Sequence, residues 1–275
     1  MTSVLCIWDM ALAIEQVVLH LETHIEAPNW DPDGASLLVN GNGRLMRVPL
    51  DEPRLVPVQS GFATRCNNDH GISPDGRTIA LSHHTERGSE IFVMPAAGGQ
   101  PVAVTSAAPS WWHGWSPDAK TLAYVAARNG SRVVDVYTIP VSGGAETRLT
   151  QGEGHCDGPD YAADGARIYY NCDRAGHAQI WVMHADGTHQ HMLFADHHVN
   201  WFPHPSPCGR HLVYLAYPPG TLGHPANLPV ALVLCKPDGS DRTRILEFTG
   251  GQGTINVPSW RADGGAFAYV RYLET

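Results

Sequence analysis

Residues 114–119 read Gly114-Trp115-Ser116-Pro117-Asp118-Ala119, and the same grammar stands at Gly71-Ile72-Ser73-Pro74-Asp75-Gly76 and at Asn29-Trp30-Asp31-Pro32-Asp33-Gly34. Looser copies follow at Asp160-Tyr161-Ala162-Ala163-Asp164-Gly165, His204-Pro205-Ser206-Pro207-Cys208-Gly209 and Ser259-Trp260-Arg261-Ala262-Asp263-Gly264. Measured from Asp31, Ser73, Ser116, Ala162, Ser206 and Arg261, the intervals are 42, 43, 46, 44 and 55 residues. That is the size of a four-stranded propeller blade, so the sequence predicts an all-β, six-bladed β-propeller.

Each repeat carries the same internal order. After the Pro-Asp-Gly turn comes a β-rich run, as in Thr78–Ser82, Thr121–Val125, Arg167–Asn171 and His211–Leu215. A polar loop and a second run follow, as in Glu90–Met94, Asp135–Ile139, Gln179–Met183 and Val230–Leu234. A second turn then closes the unit at Gly98-Gly99, Gly143-Gly144, Asp186-Gly187 or Asp238-Gly239. Asp-Gly and Gly-Gly are hairpin signals because the favoured two-residue turns need positive φ. One domain is expected over 1–275, with repeats near 24–65, 66–108, 109–152, 153–196 and 197–249. The sixth repeat, 250–275, stops after two strands, and residues 1–20 supply the missing pair through Val4–Met10 and Glu15–His20. Closing the ring with both termini removes two open sheet edges.

Six Ser-Pro-Asp-Gly-like turns in register, each followed by Ile-Ala-Phe-like and Ile-Tyr-Val-Met-like strands, resemble the repeat of the TolB-like β-propeller family over nearly the whole chain. The resemblance implies the six-bladed fold, on which binding modules, peptidase propellers and oligogalacturonate lyases have all been built. Periplasmic TolB also carries an amino-terminal domain and an export signal. Neither is read here, so a role in a cell-envelope complex is not carried over.

Composition agrees with a folded, turn-rich chain. Its 275 residues are 43% hydrophobic and 16% charged, with 28 Gly and 21 Pro. The formal charge of −9 and the absence of any Lys/Arg cluster exclude a nucleic-acid binder. The first basic residue is Arg44, and Val4–Ile14 is interrupted by Asp9, so the amino end does not read as a secretory signal. No apolar run approaches the ~18 residues of a membrane helix. A cytoplasmic protein with no membrane partner is expected. Its six scattered cysteines lack a CxxC pair and read as reduced structural thiols.

The repeat also assigns two faces. Strands leading into the Pro-Asp-Gly turn start on the opposite face, together with the loops between the second and third strands. Three places before the Ser column stand Pro28, His70, His113, Pro159, Pro203 and Pro258, and five places before it Glu26, Asn68, Trp111, Asp157, Trp201 and Asn256. Asp69, His155, Asn200 and His204 lie beside them, and the loops add His83, His84, Arg87, Arg128, Arg174, His177 and His224. Eleven of the 16 histidines map to this face, which points to a site.

The expected function is the binding of a small polar ligand, carbohydrate-derived, in a funnel lined by His, Asp and Asn. Ligand contacts are expected from Asn68, Asp69, Trp111, His155, Trp201, His204, Asn256 and Arg174. Aromatic faces suit sugar C–H surfaces, and an arginine clamps a carboxylate. Imidazoles and a carboxylate suit a divalent metal such as Mn, Zn or Ca, with His70, His113 and Asp157 as its ligands. Similarity to oligogalacturonate lyases implies an alternative, a metal-assisted lyase or hydrolase on uronate-type sugars with His70 or His113 as the catalytic residue. A protein-docking platform is the second alternative. The residues leave open whether the chain is an enzyme; a Gly-x-Ser-x-Gly elbow, a Walker loop and a complete dinucleotide fingerprint are all absent.

Overall fold

A computed structural model describes residues 2–273. Six antiparallel sheets follow one another along the chain. Blade 1 pairs Glu26–Trp30, Ser36–Gly41, Arg44–Pro49 and Val56–Pro57 in that order. Blades 2 to 5 repeat the pattern with inner strands Cys66–Ile72, Ser110–Trp115, Cys156–Tyr161 and Val199–Pro205. In blade 6, Ala266–Leu273 pairs antiparallel with Thr2–Asp9, which pairs in turn with Ile14–Leu21. Asp9 faces Ala266 and Leu5 faces Val270, the closure expected from the truncated last repeat. The innermost strand of blade 6 is reduced to a single bridge between Trp260 and Phe267.

The Pro-Asp-Gly turns hold their shape with their own side chains. At Ser73 the hydroxyl donates to Asp75 (2.6 Å) and accepts from the Thr78 amide (3.0 Å), while the Asp75 carboxylate accepts from the Arg77 amide (3.1 Å). Gly76 sits at φ +71, where a Cβ is disfavoured. Ser116 and Asp118 repeat these bonds, with Ala119 taking the strained position at φ +58.

Burial is distributed between blades rather than gathered at one centre, in six hydrophobic clusters. The repeated tryptophans staple neighbouring blades. Trp115 Nε1 donates to Gly71 O (3.2 Å) of blade 2, and Trp260 Nε1 to His204 O (2.9 Å) of blade 5. Because the blades bury their apolar faces against one another, the axis is free to hold polar groups.

One sequence expectation is corrected. Cys156 and Cys172 are cross-strand partners in blade 4 and form a disulfide. A sequence separation of 16 does not reveal strand register, so their facing was not legible.

Candidate functional site

Every complete inner strand is bulged near its start. The register shifts between Glu26 and Asn29, Cys66 and His70, Trp112 and Gly114, Asp157 and Asp160, and Trp201 and His204. A bulge leaves residues unpaired and re-aims their side chains. In blades 1, 4 and 5 the bulge is written as Ala27-Pro28, Gly158-Pro159 and Phe202-Pro203, with φ of +53, +57 and +54 at the first residue of each. Proline has no amide to give to the ladder, so it favours the interruption.

The bulges of blades 2 to 5 line a cavity of about 230 Å³ on the face opposite the Pro-Asp-Gly turns. Of the residues expected at the site, Asn68, Asp69, Trp111, His113, His155, Asp157 and Asn256 meet there. Asn67, Phe202, Gln252 and His224 join them, and no Lys or Arg is among the described lining residues. The sequence places His224 on this face but not in the site. It arrives on the loop of residues 218–227, pinned where Pro225 O accepts from Tyr217 OH (3.2 Å) and the Gln252 amide (3.4 Å).

Asp157 is the centre of the cluster. Its Oδ1 accepts from His113 Nε2 at 2.9 Å and from the Gly158 amide at 2.7 Å. Its Oδ2 faces His155 Nε2 at 3.6 Å and His224 Nε2 at 3.8 Å, beyond hydrogen-bond length. His113 Nδ1 lies 3.3 Å from Asn256 O, and the Phe202 ring stacks on the His113 ring. Burial opposes the Asp157 charge, but the His113 bond and the neighbouring imidazoles more than offset it and hold the carboxyl well below its ordinary range. Burial likewise pulls His113 down, yet Asp157 and Asp69 raise it above the usual imidazole value. The facing carboxylate also raises His155, whereas burial lowers His224. Asp69, fully enclosed, is pushed up to about 7 by burial, against the pull of His113. Two carboxyl groups of one cavity are therefore driven in opposite directions.

The other expected residues stand elsewhere. His70 is sealed between blades 1 and 2, its ring enclosed among the backbone groups of Ala27, Leu38 and Asn67. His204 is buried beneath the site, bonded to Asp160 Oδ2 (3.0 Å) and Ile255 O (2.6 Å). Arg174 is not a clamp. It stacks on Trp181 at 3.7 Å and bonds Glu153, Gln190 and Tyr170, away from the cavity. Trp201 lines an adjoining cavity and packs against His224 at 4.4 Å, the two rings tilted by 57°. On the opposite mouth of the axis, Trp30, Trp115, Tyr161 and Trp260 with a ring of prolines form an apolar bowl of about 340 Å³.

A propeller of this repeat with a polar axial pocket defines a class, and the sequence profile of the TolB beta propeller domain matches residues 70–224. The chain belongs to that family. An uncharacterized protein of Agrobacterium fabrum is 44% identical over 275 residues, covering 99% of this chain and 93% of the relative. A solved structure from Agrobacterium tumefaciens, provisionally named TolB, superposes with a TM-score of 0.97 at 44% identity, over 100% of this chain and 99% of that one. TolB from Acinetobacter baumannii gives a TM-score of 0.70 at 19% identity, covering 91% and 64%. An oligogalacturonate lyase in complex with manganese gives 0.57 at 15% identity, covering 87% and 70%, a likeness of fold alone.

The metal site expected from the sequence depends on the donor chemistry of His70, His113 and Asp157. Both His113 nitrogens are already directed at oxygen acceptors, which leaves no lone pair for a cation. Among the described residues no group of three or more His, Cys, Asp or Glu is disposed to hold a metal ion. The expected set of His70, His113 and Asp157 is not assembled, because His70 lies back in the strand ladder opposite Leu81. As placed, the set of His70, His113 and Asp157 does not make a cation site.

Proposed function

We propose that the axial cavity binds a small polyhydroxylated ligand derived from carbohydrate, and that the protein is a binding module. The observation that carries this reading is Asp157 Oδ2. It is the one oxygen of a largely buried aspartate that has no hydrogen bond within the protein, and it is flanked by two imidazole nitrogens at 3.6 and 3.8 Å. A sugar hydroxyl both donates and accepts, so it satisfies the carboxylate and an imidazole together. Side-chain amides of Asn67, Asn68 and Gln252 extend the polar wall, and Trp111 and Phe202 offer apolar surface for C–H faces. The lack of a lining Lys or Arg disfavours a phosphate or a multiply charged anion.

Calorimetric titration with neutral and uronic saccharides tests the reading, comparing the natural protein with Asp157→Asn. Binding by the natural protein and its loss in the variant are expected. If no saccharide binds, or Asp157→Asn binds equally, the reading is wrong.

A second reading, acid–base catalysis on the bound sugar, is favoured by the opposed carboxyls. Asp69, near neutrality, carries a proton to give, while Asp157 remains ionised. Product formation that disappears in Asp69→Asn, with binding retained, would establish it.

A further inference from the structure

We infer that the ligand is a linear chain of at least two sugar-sized units, and that its second unit occupies a neighbouring cavity across the His224 loop. This rests on the saccharide reading above. The second cavity, of about 460 Å³, is lined by His155, His177, Trp201, Leu222, His224 and Gln252 among others. Three of these, His155, His224 and Gln252, also line the axial cavity, so the two spaces share a wall of side chains. Alone, the axial cavity of about 230 Å³ falls below the roughly 300–1,000 Å³ of ordinary ligand sites; joined to its neighbour it falls within that range.

Unspent polar groups mark the path. Trp201 Nε1 and His224 Nδ1 are buried without a hydrogen-bond partner. A buried donor left unpaired is costly, and native proteins rarely keep one without a reason. Here both belong to residues of the second cavity, and His224 also presents its Nε2 to Asp157. A ligand that crosses the shared wall places a ring on each side of His224, and a rotation of the Trp201 or His224 ring would bring these two enclosed nitrogens to its oxygen atoms. Leu222, 91% exposed at the loop tip, supplies the apolar outer lip of the second cavity.

The test is the dependence of affinity on chain length. Mono-, di- and trisaccharides of one series are titrated into the natural protein, Trp201→Phe and Leu222→Ala. Trp201→Phe removes the indole N–H while preserving most of the packing, and Leu222→Ala lies at a position too exposed to affect folding. A disaccharide bound at least tenfold more tightly than the monosaccharide is expected, with that ratio reduced severalfold in both variants. Monosaccharide binding with no gain on lengthening overturns the inference and leaves the binding module standing. A gain that neither variant changes places the second unit elsewhere and also overturns it. Failure of every length to bind overturns the saccharide reading itself.

Discussion

His113 Nε2 and Asp157 Oδ1 lie 2.9 Å apart with both side chains almost fully enclosed, the first from blade 3 and the second from blade 4. The pair joins two neighbouring blades at the floor of the cavity and orients the remaining Asp157 oxygen towards the ligand space.

Removing the carboxylate leaves a buried imidazolium without its partner, so Asp157→Ala is expected to cost about 3 kcal/mol. The folded pKa of His113 is raised, so its share is fully present below about pH 6.5 and is lost as pH rises through the folded value. The folded pKa of Asp157 is depressed, so its share is present above about pH 4 and is lost as pH falls towards the folded value. Urea unfolding at pH 5.5 and pH 8.5 should therefore give the larger loss at the lower pH. An equal loss at both would detach the cost from this pair.

His70 behaves in the opposite sense. Burial lowers it to about 4, so between pH 6.5 and 4 the unfolded chain binds the extra proton and the fold loses stability as pH falls. His70→Leu should abolish roughly 3 kcal/mol of that acid dependence and leave ligand affinity unchanged. Denaturant midpoints measured across this range decide it, and a His70→Leu protein that no longer binds ligand would return this histidine to the site.

These two histidines also mark how far the sequence could be read. Both replace the proline of the repeat column, and sequence reasoning gave them equal roles. In blade 3 the bulge consists of His113 alone, between pairs Trp112–Tyr124 and Gly114–Ala123, so its ring turns to the axis. In blade 2 the bulge takes Asn67, Asn68 and Asp69, and His70 re-enters the ladder opposite Leu81. Column position was legible; bulge length was not. The blades, the ring closure and seven cavity residues followed from turn spacing and from counting back along each repeat. His224 and Gln252 did not, because they come from loop segments for which the repeat has no column.

Gly251 should control the site without touching the ligand. Its φ is +122, and an added Cβ would collide with the carbonyl of Pro225, which anchors the loop carrying His224. Gly251→Ala is expected to weaken ligand binding at least severalfold. Gly76→Ala, with open space around its Cβ but φ +71, should cost only the turn strain of roughly 1 kcal/mol and no affinity. Equal effects of the two variants on binding would contradict this division of faces.

Deleting residues 1–21 removes both outer strands of blade 6 and leaves Ala266–Leu273 as an open apolar edge. Light scattering should detect aggregation of the shortened chain. A monomeric, cooperatively folding deletion product would refute the closure.

The central claim, that the axial cavity receives the ligand, is tested most directly by the imidazole Cε1–H signals of the 16 histidines during ligand titration. Binding should shift His113, His155 and His224 while leaving His184, His189 and His191, on the opposite face, where they were. A saturable ligand that moves the second group and not the first would contradict the account.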